Sequence, residues 1–289
     1  MTLMKMDQSY LNFFWANKLF DDGNMAQWQF CSMEQQFSIS LAHREMQGVC
    51  SEGQWVLTDV YGEYERLQLG TVRPLPMSVT REQLERQLAW LPNSQQLMLA
   101  DVWSMLMVIT DKALNDFLLS VLTDDSIMVP FAQGRASHRH HHDKEGGLLA
   151  HSHEVAMTAA MLTNQHGLGR RSIWVAFVGG LLHDIGKIRL YYNEIHGSCS
   201  QHESLSFMVL GKSLDRLRLA SPKVFEAITA CLAVKVGRYT DPYQVANIVR
   251  MCDRLSAEVC NWKSAFSKAP NYYWYARSPR DNQIYKRLC

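Results

Sequence analysis

The chain has 289 residues, of which 47% are apolar and 20% are charged, and its 29 Lys and Arg offset 28 Asp and Glu to a net charge of +1. This composition excludes a disordered chain, which has few large apolar residues and a strong charge imbalance. It also excludes recruitment of nucleic acid or membrane by bulk charge, so that any site for a polyanion must be a local patch.

Three features predict a cytoplasmic protein without a membrane partner. The longest apolar runs, such as residues 174–182, are shorter than the roughly 20 residues that cross a bilayer. Asp7 interrupts the start of the chain, where a signal peptide needs an apolar segment. The seven cysteines are odd in number and have no CxxC spacing, which is typical of reduced thiols.

Residues 1–76 indicate a small β-rich module. Apolar and polar side chains alternate within residues 37–73, and the break at Ser51–Gly53 predicts short strands and a tight turn. Residues 1–36 fit a helix or a strand, and both remain open. The segment VRPLPMS ends the module, because proline lacks the backbone donor that an element interior needs. Three aromatic side chains are predicted to be exposed, where they either stack on bases or pack on the helical part of the chain: Trp55, Tyr61 and Tyr64.

After Pro76 the pattern becomes helical. Thr80, followed by Glu82 and Gln83, is typical of a helix start. Apolar residues recur at three- and four-residue spacing in six segments that we predict to be helices: 95–110, 111–122, 148–163, 172–183, 221–236 and 243–262. We therefore predict an α+β fold with three parts: a β-rich module (1–76), a helical connector (77–132) and a C-terminal helical domain (133–289).

Candidate metal ligands concentrate in the C-terminal half. Six of the eleven histidines lie within residues 138–153, and His183-Asp184 ends a strongly apolar run. Burial of such a pair is costly without a metal or an ion-pair partner. With His151 and Asp253 on other helices, four side chains can converge in the core of one bundle. Two imidazoles and two carboxylates suit a divalent ion (Mn²⁺, Fe²⁺, Co²⁺, Ni²⁺, Zn²⁺ or Mg²⁺), which lowers the pKa of bound water and polarises a phosphoryl oxygen.

These residues resemble a known signature. His151, His183-Asp184 and Asp253 are similar to the H…HD…D pattern of the HD-domain phosphohydrolase superfamily. Within it, HHDKEGGLLAHSHEVA resembles a segment of YhaM-type 3′–5′ exoribonucleases and, with a third histidine and an arginine before it, the HHH-plus-HD segment of MobH-type conjugative relaxases. YERLQLGTVRPLP resembles the last strand of the OB-like domain in the exonuclease group. The resemblance implies an OB-like β module followed by a mostly α-helical HD domain.

The resemblance also implies roles for individual residues. It implies four metal ligands, of which Asp184 is the pivotal one: His151, His183, Asp184 and Asp253. It places three further catalytic side chains at the phosphate: His141, His142 and Lys187. It gives His202 a supporting or direct contact with metal. Arg139 and Arg238 are candidate phosphate clamps, because a guanidinium fork matches phosphate geometry.

One segment departs from the exonuclease pattern. Where that group has His-His-Gly, this chain reads AVKVGRY, with Lys235 and Val236 in place of the imidazoles. A second metal would lose a ligand here, and Lys235 could instead neutralise a phosphate, or catalysis could be lost.

The function that we expect from the sequence is metal-dependent phosphodiester hydrolysis of single-stranded DNA or RNA, most like a 3′–5′ exonuclease. Three alternatives stay open: a relaxase-like DNA-processing protein of a mobile element, a small-nucleotide phosphohydrolase, and a catalytically impaired nucleic-acid-binding HD protein. The sequence carries no expectation about the oligomeric state.

Overall fold

The computed structural model describes residues 11–62, 67–89, 91–136, 145–192, 202–233, 241–279 and 281–288. The chain divides into two compact units between Val108 and Ile109. Among the described residues, the first unit holds β-strands followed by two helices, and the second is mostly helical. The α+β class is therefore confirmed, whereas the three-part division of the chain stays a prediction.

The first unit is built on a five-stranded antiparallel sheet with the strand order β3-β2-β1-β4-β7. The elements of this unit are β1 (Asn12–Asp21), β2 (Met25–Cys31), β3 (Gln36–Ala42), a 3-10 helix (His43–Met46), β4 (Gln54–Thr58), β5 (Val60–Tyr61), β6 (Gln68–Leu69), β7 (Arg73–Pro74), α1 (Arg81–Leu88) and α2 (Asn93–Val108). Pro74 lies at an edge of the sheet, where the missing backbone donor is tolerated.

The N-terminal segment that sequence analysis leaves open is a pair of strands. β1 pairs antiparallel with β2: Trp15 lies opposite Cys31 at one end of the pairing, and Asp21 lies opposite Ala26 at the other. The register is irregular between Lys18 and Phe20. β1 also pairs with β4 on its other side, so that it is a central strand. Phe13, Phe14 and Ala16 in its first half are buried, whereas Leu19 and Phe20 near its end are exposed, so its apolar side chains do not follow one alternation along the strand.

The prediction that Trp55 is exposed is wrong. All five residues of β4 are buried. The Trp55 ring packs edge-to-face on Trp15 with 5.7 Å between centroids, and its Nε1 donates to the backbone oxygen of Thr80 at 3.2 Å. Trp55 is therefore a core residue and not a platform for bases. Tyr61 is exposed as predicted, and Tyr64 lies outside the described residues.

The strand pairing bears on the predicted OB-like character. The break at Ser51–Gly53 lies between β3 and β4, which pair with β2 and β1 and not with each other. β3 and β7 are the two outer strands, and no pairing between them is found in the described part of the chain. A closed barrel is therefore not shown, and the OB-like assignment stays a prediction.

Helix α1 begins where the sequence predicts. The Thr80 hydroxyl accepts from the backbone N–H of Gln83 at 3.3 Å, and the Gln83 side chain accepts from the backbone N–H of Thr80 at 3.1 Å. This reciprocal capping box satisfies two backbone donors that a helix end otherwise leaves without partners.

The second unit is mainly helical. Its elements are α3 (Lys112–Leu122), α4 (Asp125–Gln133), α5 (Gly147–Gln165), α6 (Arg170–Leu182), α7 (Lys187–Tyr192), α8 (His202–Ala220), α9 (Pro222–Leu232), α10 (Val245–Phe266), β8 (Tyr275–Arg277) and β9 (Ile284–Lys286). The six predicted helical segments are confirmed as α2, α3, α5, α6, α9 and α10 with shifted ends. The pattern does not predict α4, α7 or α8.

Close packing of α5 on α6 brings the two histidine-bearing segments together. A Cβ atom at Gly180 would lie 2.9 Å from the Cα atom of Ala156, so only glycine allows this approach of the two helices. None of the described helices meets the length and apolarity that a membrane span requires. The five cysteines within the described ranges are free thiols.

Candidate metal centre

Four buried or half-buried side chains from two helices, α5 and α10, and from the turn after α6 meet in the second unit. His151 lies in the second turn of α5, and His183 and Asp184 follow the last residue of α6. Asp253 lies in the middle of α10. One ligand atom from each of the four residues lies within 4.8 Å of all the others. The structure thus brings together the four residues predicted as metal ligands.

The contacts inside this cluster are short and alternate between imidazole and carboxylate. Nε2 of His151 lies 3.1 Å from Oδ1 of Asp253 and 3.4 Å from Oδ2 of Asp184. Nε2 of His183 lies 3.4 Å from the same Asp184 oxygen and 3.6 Å from the same Asp253 oxygen. Both imidazoles and Asp184 are buried, and Asp253 is partly exposed. The cluster is therefore open to solvent on the Asp253 side.

The hydrogen bond made by Nδ1 of His183 shows which nitrogen of this ring carries a proton. Nδ1 of His183 lies 2.7 Å from the backbone oxygen of Gly180. A carbonyl oxygen only accepts, so Nδ1 must be the donor. Nε2 then directs either a lone pair or the second proton of an imidazolium toward the carboxylates.

A serine and a glutamate hold His151 in the same way. Nδ1 of His151 lies 3.2 Å from Oγ of Ser256, and Oγ of Ser256 donates to Oε2 of Glu154 at 2.9 Å. A hydroxyl has one proton, so Ser256 accepts from His151 while it donates to Glu154. Nε2 of His151 is therefore directed at Asp184 and Asp253. These contacts were not predicted from the sequence, although Glu154 follows His151 by three residues and Ser256 follows Asp253 by three, a spacing that shares a helix face.

Asp184 makes two further contacts outside the cluster. Its Oδ2 accepts from Nζ of Lys187 at 2.5 Å, and its Oδ1 lies 2.8 Å from Nε2 of His202. Nε2 of His202 also lies 3.5 Å from Glu203. Lys187 is buried, and His202 begins α8. His202, predicted to support or contact the metal, and Lys187, predicted at the phosphate, thus both contact Asp184. The role of Lys187 at a phosphate stays a prediction.

Gly186 allows α8 to reach Asp184. A Cβ atom at this position would lie 2.0 Å from the backbone oxygen of His202 and 2.6 Å from the backbone nitrogen of Ser206. The backbone N–H of Gly186 donates to Oγ of Ser206 at 2.9 Å. The glycine in LLHDIGK is therefore required by close backbone approach, and through it His202 is positioned at the carboxylate.

The charges of the cluster shift its pKa values in opposite directions. Burial lowers the pKa of His151, but hydrogen bonds with Asp184 and Asp253 and their charges outweigh burial, so this pKa is raised. Burial raises the pKa of Asp184, but the charges of His183 and Lys187 outweigh it and hold this pKa well below its usual range. The pKa of Asp253 is lowered against burial by its hydrogen bonds with both histidines. Both carboxylates are therefore ionised at neutral pH, as metal ligands must be.

These four residues fit a divalent cation. Two donor atoms that bind one ion at about 2.0–2.2 Å lie roughly 3.0–3.6 Å apart, depending on the coordination number. The contacts of 3.1–3.6 Å between imidazole and carboxylate match this separation. With Nδ1 of each histidine directed at an acceptor, a cation between Nε2 and the carboxylates satisfies all four groups without protonating either ring.

Five of the predicted site residues lie outside the described residues: Arg139, His141, His142, Lys235 and Arg238. Their placement at the phosphate, and the effect of the departure at Lys235 and Val236, therefore stay predictions.

Comparison with known proteins agrees with this geometry. Residues 148–258 match the family model of the HD domain, and the match spans all four residues of the cluster. No curated protein and no solved structure matches the chain. The second unit thus carries an HD domain. HD domains bind divalent metal ions, and this domain with its candidate metal cluster supports a metal-dependent phosphohydrolase.

Proposed function

We propose that this protein hydrolyses phosphodiester bonds of single-stranded nucleic acid, most like a 3′–5′ exonuclease. The observation that carries the hydrolytic part is the convergence of His151, His183, Asp184 and Asp253 within one HD domain. The bound divalent ion would supply a Lewis acid and lower the pKa of water.

The residues around Asp184 support a reaction at an anionic phosphate. Lys187 and His202 contact opposite oxygens of this carboxylate. Their hydrogen bonds fix its orientation toward His151 and His183. Lys187 also brings a positive charge next to the cluster, which favours a substrate that carries negative charge. The partly exposed side of Asp253 leaves an approach for such a substrate.

The nucleic-acid part of the proposal depends on the unit that precedes the HD domain. Its five-stranded antiparallel sheet is compatible with the predicted OB-like module, and OB folds bind single strands through aromatic and basic side chains. The HHxxxGGLLxH segment supports the same substrate class by its resemblance to exoribonucleases. Free thiols at the described cysteines agree with the proposed cytoplasmic location.

The test is hydrolysis of short single-stranded RNA and DNA with Mn²⁺ by the full chain. We expect the wild type to release mononucleotides, and His183→Ala and Asp184→Ala to abolish release because each removes a ligand. His166→Ala is the matched control, since His166 is exposed at the end of α5 and lies outside the cluster. Equal release by the wild type and both ligand variants would refute a role of this site in hydrolysis.

A small-nucleotide phosphohydrolase is the second candidate. The four residues of the cluster lie in the second unit, and so do the described side chains that were found to hold them, those of Glu154, Lys187, His202 and Ser256. Such a site needs no β module to bind a mononucleotide. Assays with nucleoside mono- and triphosphates beside the oligonucleotides distinguish the two. Turnover of the mononucleotides alone would favour this candidate over the nuclease.

A further inference from the structure

The C-terminal end of the chain presents a cluster of exposed aromatic rings. They lie just before and within the hairpin of β8 and β9, with these exposed fractions: Tyr272 78%, Tyr273 46%, Trp274 53% and Tyr275 49%. Adjacent rings contact each other, with centroids 5.3 Å apart for Tyr272 and Tyr273 and 5.0 Å apart for Trp274 and Tyr275. We call residues 272–275 and Lys286 the aromatic platform. It lies outside residues 148–258, which match the HD domain.

The platform is held firmly on helix α10. Nε1 of Trp262 donates to the backbone oxygen of Lys286 at 2.8 Å, and Nδ2 of Asn261 donates to Oδ2 of Asp281 at 3.1 Å. Arg287 donates to the backbone oxygen of Tyr273 at 2.7 Å and lies over the ring of Phe266 at 4.7 Å from its centroid. These contacts fix the hairpin from its inner side. The exposed rings therefore face solvent from a fixed base.

The hairpin geometry places a cation among the rings. Tyr275 pairs with Lys286, so the two side chains share one face of the hairpin. Nζ of Lys286 also lies 5.3 Å from the centroid of the Trp274 ring, a cation–π arrangement. Arg277 lies on the same face, although its guanidinium also donates to the backbone oxygen of Asn282.

This end of the chain is much more basic than the rest. Residues 263–289 contain six Lys or Arg and one Asp, which is a net charge of +5 in a chain whose total is +1. Bulk charge does not attract a polyanion, but this segment has the local density that phosphate binding needs.

We propose that the aromatic platform binds single-stranded nucleic acid, with bases stacked on the exposed rings and phosphates near Lys286. The inference rests on the proposed function for the identity of its ligand. Sequence-tolerant binding of single strands combines aromatic rings with basic side chains, and both occur here on one surface. An interface with a second copy of the chain is disfavoured, because lysine is depleted at the centre of protein interfaces and like charges would face each other.

The platform is anchored on α10 at Trp262, away from Asp253, the residue of the metal cluster on this helix. Trp262 follows Asp253 by nine residues, which is about 14 Å along the helix axis and half a turn around it. Binding to the platform can therefore be measured without metal, separately from hydrolysis.

The experiment is fluorescence anisotropy of short labelled oligo-dT and oligo-U with the full chain in EDTA. We expect Tyr272→Ala and Trp274→Ala each to weaken binding about 5-fold or more, the lower end of what one stacked base contributes. Lys286→Gln should lower the slope of log K against log salt by about 0.7, because one phosphate contact is lost. Circular dichroism and thermal unfolding of each variant show that the fold is kept.

Matched controls remove equivalent side chains elsewhere. Leu219→Ala deletes an apolar side chain that is 76% exposed near the end of α8, and Lys112→Gln deletes an exposed cation on α3. Both should bind like the wild type. Binding without hydrolysis would overturn the proposed nuclease and leave the platform standing. Hydrolysis with unchanged binding by the platform variants would overturn the platform.

Two other results would also refute the platform. One is binding of the wild type to phosphatidylserine vesicles, lost in Trp274→Ala, with no oligonucleotide binding. The other is loss of self-association in the same variant, measured by sedimentation equilibrium, with no oligonucleotide binding.

Discussion

Removal of the Ser256 hydroxyl should weaken metal binding without removing a ligand. This hydroxyl is buried, accepts from Nδ1 of His151 and donates to Glu154. In Ser256→Ala, Nδ1 of His151 loses this acceptor and the ring loses a constraint on its orientation. The ligand atom Nε2 then no longer has a fixed direction toward Asp184 and Asp253.

The size of the effect follows from these two hydrogen bonds. Loss of a partner that orients a metal-bound histidine typically lowers metal affinity about 10–100-fold, which is roughly 1.4–2.8 kcal/mol. The metal-free protein should also lose about 1–3 kcal/mol of its free energy of unfolding, because a buried donor and a carboxylate lose a shared partner. Ser256→Thr, which keeps the hydroxyl, should recover much of both.

Titration of Mn²⁺ or Zn²⁺ into metal-free protein by calorimetry measures the affinity directly. Ser213→Ala is the matched control. It removes a hydroxyl on α8 that accepts a hydrogen bond from Ser120 of α3 at 2.8 Å, in the same unit. If Ser256→Ala and Ser213→Ala bind metal equally tightly, the Ser256 hydroxyl does not orient His151 for metal binding. The double variant Ser256→Ala/Glu154→Gln should cost less than the sum of the two single changes, because both act through one chain of contacts.

Two further predictions concern stability. Gly186→Ala should lower the free energy of unfolding by several kcal/mol, since its Cβ atom would overlap the start of α8. Gly211→Ala, where the Cβ atom meets open space, should instead raise it by about 1 kcal/mol. Urea unfolding measures both changes, and equal stability of the two variants would contradict the prediction. In EDTA, protonation of His151 stabilises the folded protein, because the pKa of this residue is raised in the folded state above the value of 6.5 in the unfolded chain. This stabilisation is fully present below pH 6.5 and is lost as the pH rises through the pKa of the folded state. The melting temperature of the metal-free protein should therefore fall as the pH rises above about 6.5, and bound metal should remove this fall. If the melting temperature of His151→Gln falls in the same way, His151 is not the cause.

The sequence predicts the cluster well because its signals are local. The sequence shows a His-Asp pair at the end of an apolar helical segment. It also shows one possible ligand in each of two other segments with a helical pattern of apolar residues. Thr80 with Gln83 is a similar local signal, and it correctly predicts the start of α1.

The parts that sequence reasoning misses depend on contacts between distant segments. The alternation around Trp55 is typical of a strand with one exposed face, yet all five residues of β4 are buried. β4 lies between β1 and β7, and this pairing cannot be seen in the sequence of β4 itself. The link from His151 to Ser256 joins residues 105 positions apart. Neither the exposure of a central strand nor the partner of a buried ring can be read from a short window of the chain.

The distance along the chain between the ligands has a consequence for biosynthesis. His151 is made about 100 residues before Asp253, and α5 has no ligand from α10 until that helix has left the ribosome. A cation that joins them binds the folded chain and has no preformed site in the unfolded one, so its binding free energy adds to the free energy of unfolding. Loading with metal is therefore a late event of folding, and a chain that is truncated within α9 cannot complete its ligand set.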